Sequence, residues 1–201
     1  MLFFSKKPAP SGPVEYLVAG LGNPGSKYEN TRHNAGFLAL DRIAEKAGVA
    51  VDRLKFKGLT AAAQVGGKQV LLLKPSTFMN LSGQSVQEAL AFYKLPPSRA
   101  IILFDDISLE PGRMRIRAKG SDGGHNGMKN IIYLTGRDDI PRVKIGVGKK
   151  PNPQWDLADW VLSRFTEAER KALDPVLDNA AEAVALMVQG KLQEAQNRFN
   201  S

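Results

Sequence analysis

Five short segments gather side chains that can move a proton or hold a carbonyl: Asn23-Pro24-Gly25, Thr31-Arg32-His33-Asn34, Thr77-Phe78-Met79-Asn80, Phe104-Asp105-Asp106 and Gly123-Gly124-His125-Asn126-Gly127. An imidazole ordinarily titrates at about pH 6.5, so His33 is suited to taking a proton from water near neutrality. A carboxylate at Asp105 would orient that ring and stabilise the imidazolium that develops during attack. Asparagine amides would fix a carbonyl or an oxyanion without adding charge. His125 is a second candidate base, but its place in a Gly-rich turn reads as a backbone-shaping position. Taken singly, each Asn also fits a cap or a turn, and each His a structural hydrogen bond. Five such segments beside strand ends weigh towards a site. The chemistry they suit is hydrolysis by directly activated water. No G-x-S-x-G elbow and no cysteine is present, so a covalent nucleophile has little to rest on.

The elements that must position these residues alternate along the chain. Compact apolar runs at Glu15–Gly20, Gln69–Lys74, Ala100–Phe104 and Val143–Val147 have strand length and suggest burial on both faces. Thr60–Val65 and Arg113–Arg117 alternate and look half exposed. Gln64–Gln69 reads as a hairpin turn around Gly66-Gly67, which requires at least one antiparallel pair. Between the strands, Ala35–Ala47 carries Phe37, Leu40, Ile43, Ala44 and Ala47 on one stripe and stops at Gly48. Ser82–Lys94 opens with Ser82 as its expected N-cap, and Met128–Leu134 suits a short helix. Thr166 and Glu169 have capping-box spacing ahead of a long amphipathic stretch ending at Gly190; Pro175 should begin or kink a helix there. This pattern predicts an α/β fold: a single domain with a mixed twisted sheet flanked by helices and a C-terminal helical segment, spanning 15–201. Residues 1–14 read as a flexible N-terminal extension, since the apolar start is too short for a signal peptide.

Ligands in open α/β sheets gather beyond the carboxyl ends of strands, where these segments are expected to meet. Gly20-Leu21-Gly22-Asn23-Pro24-Gly25 is a literal G-x-G-x-x-G after a strand, but no helix opens on it. Pro24 removes an amide such a loop would use, and Asp41 and Glu45 fall inside a helix. A dinucleotide site is therefore not expected.

The 201 residues carry 28 Lys+Arg against 20 Asp+Glu, a net charge of +8, and the excess is local. Residues 52–150 hold 17 basic and 8 acidic side chains, whereas residues 151–201 are net −3. Within the basic stretch, Arg113, Arg115, Arg117 and Lys119 alternate with Met114, Ile116 and Ala118. A two-residue period puts the four cations on one face, costly unless a polyanion neutralises it. Arg142, Lys144, Lys149 and Lys150 would extend that patch, and Arg53, Lys55 and Lys57 would border it. The absence of cysteine excludes disulfides and thiolate metal sites, and two histidines make no His-rich zinc motif. No apolar run nears the roughly 18 residues a membrane span needs. A cytoplasmic protein with a nucleic-acid partner, no membrane, no metal and no cofactor is expected.

In order along the chain, Gly20–Gly25, Tyr28, Thr31–Gly36, Thr77–Asn80, Asp105-Asp106 and Gly123–Gly127 resemble the motifs of bacterial peptidyl-tRNA hydrolase. The resemblance runs from about Tyr16 to Asn197. It implies hydrolysis of the ester between a peptide carboxyl and the 3′-terminal ribose of tRNA, recycling tRNA from prematurely released peptidyl-tRNA, by a monomer without metal. Under it His33 is the catalytic base, Asp105 its orienting partner and Asn23 a catalytic amide. Tyr28, Met79, Asn80 and Asn126 bind substrate, and Arg115, Arg117, Arg142 and Lys144 clamp tRNA phosphates. Asp105-Asp106-Ile107-Ser108 departs from the more acidic, leucine-containing version common in the family, and Arg stands where Lys is frequent in the clamp. The tail after Gly190 is short. Relatives of this fold also serve plant-organelle intron splicing, so a non-catalytic RNA-binding protein is the alternative.

Overall fold

The computed structural model describes residues 12–200, so the expected N-terminal extension lies outside the described residues up to residue 11. Seven strands form one sheet: β1 (Tyr16–Gly20), β2 (Arg53–Lys55), β3 (Gly58–Val65), β4 (Lys68–Pro75), β5 (Ala100–Asp106), β6 (Met114–Arg117) and β7 (Arg142–Gly146). Their order is β2-β3-β4-β1-β5-β7-β6. The four central strands, β4, β1, β5 and β7, run parallel. The outer pairs β2–β3, β3–β4 and β6–β7 are antiparallel, which makes the sheet mixed as expected. Val65 pairs with Lys68 across the Gly66-Gly67 turn, the hairpin read from the sequence.

Central strands are apolar on both faces because helices cover both. Along β5, Ile101 and Leu103 pack with α1 (Ala35–Ala47) and α5 (Glu167–Val188), through Leu40, Ile43, Val176 and Val184. Ile102 and Phe104 pack instead with α2 (Ser82–Tyr93) and α3 (Asn126–Thr135), through Val86, Leu90 and Ile131. Each such side chain contributes about 1.5–3 kcal/mol on burial. The helices α4 (Leu157–Leu162) and α6 (Leu192–Phe199) complete the chain.

Helix ends mostly obey local chemistry. Gly48 closes α1 at φ 68°, and Thr166 with Glu169 forms the expected capping box of α5. Two expectations need correction. Ser82 is not the N-cap of α2; its hydroxyl donates to the Met79 carbonyl at 2.9 Å, because a 3-10 turn at Met79–Leu81 leads into the helix. Pro175 begins no helix but lies inside α5, whose packing on α1 and the sheet outweighs one missing amide.

The G-x-G glycines serve close packing. A Cβ on Gly20 would collide with the Gly36 carbonyl, and one on Gly22 with the Phe37 ring. The end of β1 can therefore press directly against the start of α1, which brings the segment holding His33 to the strand ends.

The basic residues are distributed differently from the expectation. Strand β6 stops at Arg117: Met114 and Ile116 are buried and Arg117 exposed, but Ala118, expected to point inward, is exposed too. Its outer edge is covered by the short tail. Ile116 N–H donates to Asn200 Oδ1 at 2.6 Å, and the Gln196 and Asn200 amides donate to the Ile116 carbonyl, which blunts the edge against pairing. Arg53 and Lys55 sit on β2, the opposite edge of the sheet, with Lys57 in the turn that follows. Six inter-strand spacings put them about 29 Å from β6, so they do not border its patch. Lys150 is tied inward, donating to the Pro153 and Trp155 carbonyls.

Candidate active site

The chain leaves β1 for β2–β4 on one side and later returns to β5 on the other, so β1 marks a switch point where a crevice opens beyond the strand ends. There lies a cavity of about 650 Å³. Asn23 reaches it from the end of β1, Met79 and Asn80 from beyond β4, Asp105 from β5, His33 from the turn before α1, and His125 and Asn126 from the start of α3. All five polar segments of the sequence meet in this place.

At its floor Asp105, 3% exposed, accepts hydrogen bonds from two imidazoles. His33 Nδ1 lies 2.9 and 3.0 Å from its two oxygens, and His125 Nε2 lies 2.9 Å from Oδ1. Burial alone would raise the carboxyl's pKa, but the two histidines outweigh it and hold Asp105 far below the usual carboxylate range. A carboxylate can only accept, so His33 carries a proton on Nδ1, and in the neutral ring Nε2 is the free base. The His125 tautomer is fixed from both sides: its Nδ1 accepts the Met128 N–H at 3.2 Å as the N-cap of α3, so Nε2 bears the hydrogen. Gly123 and Gly124, at φ 62° and 83°, make the turn that delivers it. The backbone-shaping role read for His125 is present. What the sequence did not reveal is that the same ring also donates to Asp105.

Three ligating atoms of His33, Asp105 and His125 fall within 4.8 Å of one another, the spacing a cation would use. Their chemistry does not fit one. His125 Nδ1 is committed as an acceptor, and both ring N–H groups already satisfy the carboxylate, so a metal would have to expel two protons held in good hydrogen bonds.

Asn23 is locked from behind. Its N–H donates to Asn34 Oδ1 at 2.8 Å and its carbonyl accepts from Asn34 Nδ2 at 3.0 Å. Its side-chain Oδ1 accepts the Met79 N–H at 2.8 Å, which sets the amide orientation and leaves Nδ2 as a donor at the cavity wall. That contact requires the turn before Met79, where Phe78 is held at φ 60°, ψ 162°, a conformation costing about 1–3 kcal/mol for a residue other than glycine. Met79 is buried against Gly127, where any Cβ would meet its sulfur. Asn80 and Asn126 are exposed at the rim.

Several residues fall elsewhere. Tyr28 is outside the cavity lining and packs edge-on against Phe78, centroids 6.3 Å apart, so it supports the rim. Lys144 does line the cavity, paired with Asp106 at 2.9 Å. Arg115 and Arg117 stand on β6 outside it. Arg142 corrects the expectation of a phosphate clamp. It is 1% exposed, and its guanidinium donates to the carbonyls of Ile140, Gly120, Ser121 and Asp138 at 2.7–2.9 Å, stapling two loops together. Burial lowers its pKa, with Asp138 and Asp122 acting the other way. One wall went unread in the sequence: α4, six residues long, contributes Leu157, Ala158, Val161 and Leu162. The Asp156 N-cap, donated to by Ala158 N–H at 2.7 Å, was the available signal for that helix.

Among the described residues no helix is long and apolar enough to cross a membrane. The family model for peptidyl-tRNA hydrolase matches residues 17–201. Peptidyl-tRNA hydrolase of Caldanaerobacter subterraneus is 50% identical over 92% of this chain and 99% of its own length. That of Agathobacter rectalis is 51% identical over 92% of this chain and all of its own. The crystal structure of peptidyl-tRNA hydrolase from Acinetobacter baumannii superposes with a TM-score of 0.87 at 36% identity, over 96% of this chain and 98% of that one. All of these relatives carry the enzyme's name, and the non-catalytic alternative finds no support among them. With a fold, a match and a constellation that agree from β1 to α6, the chain belongs to the peptidyl-tRNA hydrolase family.

Proposed function

We propose that His33, Asp105 and Asn23 are the catalytic groups with which this chain, as a peptidyl-tRNA hydrolase, cleaves the ester between the peptide carboxyl and the 3′-terminal ribose. The observation that carries this reading is the double acceptance at Asp105, which holds His33 by Nδ1 and turns Nε2, the basic nitrogen of the neutral ring, away from the carboxylate. Nε2 takes a proton from water as the oxygen attacks the ester carbon. Asp105, ionised and buried, stabilises the imidazolium that results. Negative charge builds on the carbonyl oxygen, and Asn23 Nδ2, already fixed by Asn34 and Met79, is the donor aimed at it. The imidazolium then returns its proton to the departing ribose oxygen, restoring His33. Asn80 and Asn126 hold the peptide and ribose at the rim, with Met79 as the apolar floor. Tyr28 acts indirectly, through Phe78.

Arg115, Arg117 and Lys144 contact tRNA phosphates, Lys144 by trading its Asp106 partner for the RNA. Arg142 contacts no RNA and instead fastens the 120–121 loop to residues 138–140. The chain works as a cytoplasmic monomer comprising one domain over 15–201. Turnover of N-blocked aminoacyl-tRNA, against free aminoacyl-tRNA as control, tests the assignment. His33→Ala is expected to reduce kcat by about 10²–10⁴-fold with tRNA affinity within threefold; turnover near that of the parent protein would remove His33 from its role.

A further inference from the structure

Arg32 immediately precedes His33 and is 2% exposed, yet none of the steps above uses it. Its Nη1 donates to Ser163 Oγ at 2.7 Å and to the Arg164 carbonyl at 2.5 Å. Its Nη2 donates to both Glu169 oxygens at 2.7 Å. The guanidinium carbon lies 3.7 Å from the centre of the Trp160 ring. The backbone is tied as well: Arg32 N–H donates to the Ser163 carbonyl at 3.0 Å, and Thr31 bridges Arg164. Nε is buried without a partner among the described residues, so the side chain is held by its fork and by the ring.

Every one of those attachments ends on α4, on the four-residue connector after it, or on the first turn of α5. A six-residue helix cannot sustain itself, so α4 takes its position from what it is fastened to. The other anchor is Trp160 Nε1, which donates to the Gly148 carbonyl at 2.9 Å. The face α4 turns to the cavity is apolar: Leu157, Val161 and Leu162. An apolar wall suits the side chain of the residue that the ester joins to the ribose, rather than RNA.

We propose that Arg32 is a positioning residue for the acyl half of the substrate: it seats α4 at a fixed distance from His33, so the wall that receives the acyl side chain and the base that activates water hold one spacing. This rests on His33 being that base. The role needs a planar fork with a stacking face, which lysine does not have.

The chain's only two tryptophans, Trp155 and Trp160, lie just before and within α4, so tryptophan fluorescence, excited selectively to leave out the four tyrosines, reports on that region. In Arg32→Lys, acrylamide quenching of the free protein at 25 °C, below its unfolding transition, is expected to rise at least twofold. KM is expected to rise about tenfold for an N-acetyl-leucyl-tRNA and less than threefold for N-acetyl-glycyl-tRNA. The kcat should stay within threefold and its pH profile unmoved. Ser163→Ala, which removes the fork's contact to Ser163 Oγ and that hydroxyl's own bond to the Trp160 carbonyl but leaves the fork on Glu169, should shift both readouts the same way by a smaller factor and carries the test should Arg32→Lys not fold. Parental quenching, an equal KM change for both substrates, or a loss confined to kcat would overturn the proposal; a merely structural role would lower the melting temperature and leave both splits flat. Fluorescence of the resting protein does not depend on turnover, so active His33→Ala would refute the base while leaving the α4 result legible.

Discussion

At the cavity floor Asp105 is 3% exposed and both its oxygens are taken by imidazole N–H groups, whereas along β6 Arg117 is exposed and, like Arg113, Arg115 and Lys119, makes no ion pair among the described residues. The centre is assembled before any substrate arrives, since groups that must reorganise during attack add to the barrier. The edge keeps its cations free of carboxylates that, under the proposed function, would compete with each incoming phosphate. Lys144 stands between the two designs, half-buried in the cavity and paired with Asp106. Under the proposed function, satisfied polar groups thus accompany the chemistry, and unsatisfied ones accompany recognition.

The largest way to break that contrast is Asp105→Asn. The side chain keeps its shape and one accepting oxygen, but the charge that stabilises a protonated His33 is gone. We expect kcat to fall by about 10²–10⁴-fold with KM for peptidyl-tRNA within threefold. Single-turnover rates at saturating enzyme read this directly; a loss under tenfold would mean that prior organisation of the carboxylate matters little.

How much of this was legible depends on the range of the forces involved. The stripe at Ala35–Ala47, the Thr166–Glu169 box and the Gly66-Gly67 turn are local, and each forms where the residues predict it. The five polar segments were readable because residues of that type cluster at strand ends. Sharing of Asp105 by His33 and His125 was not, because it joins residues 72 and 20 positions away, and periodicity carries no information on such contacts. Arg142 misled for a related reason. Beside Lys144, at the head of another strand, it looks like an extension of the cationic patch, and only the loops at 120–121 and 138–140 reveal four carbonyls waiting for it. Arg53 and Lys55 misled because charge counted along the chain ignores strand order.

A smaller effect sharpens the other side of the comparison. Arg115→Ala with Arg117→Ala removes cations without touching the cavity. At about 150 mM salt KM for full-length peptidyl-tRNA should rise roughly tenfold while kcat holds, and the slope of log affinity against log salt should shrink by about 1–2. A minimal ester lacking the RNA arm should be cleaved as by the parent protein. Equal losses on both substrates would place β6 in the chemistry and erase the distinction between the two regions.

The smallest expected change in RNA binding comes from Arg142→Met, and it separates a cation that recognises from one that builds. Methionine roughly fills the volume but cannot donate, so four loop carbonyls lose their partner. Unfolding free energy should drop by about 2–4 kcal/mol, less than four fully buried orphans would cost because water can reach the loop ends. Below the new melting temperature tRNA affinity should stay within threefold of the parent and the salt slope should not move, since a side chain 1% exposed releases no counterion when RNA binds. Chemical denaturation and filter binding on the same preparation give both numbers. A slope reduced by about one, with stability intact, would return Arg142 to the phosphate clamp and require the 120–121 loop to open on binding, exposing a guanidinium that here faces only carbonyls.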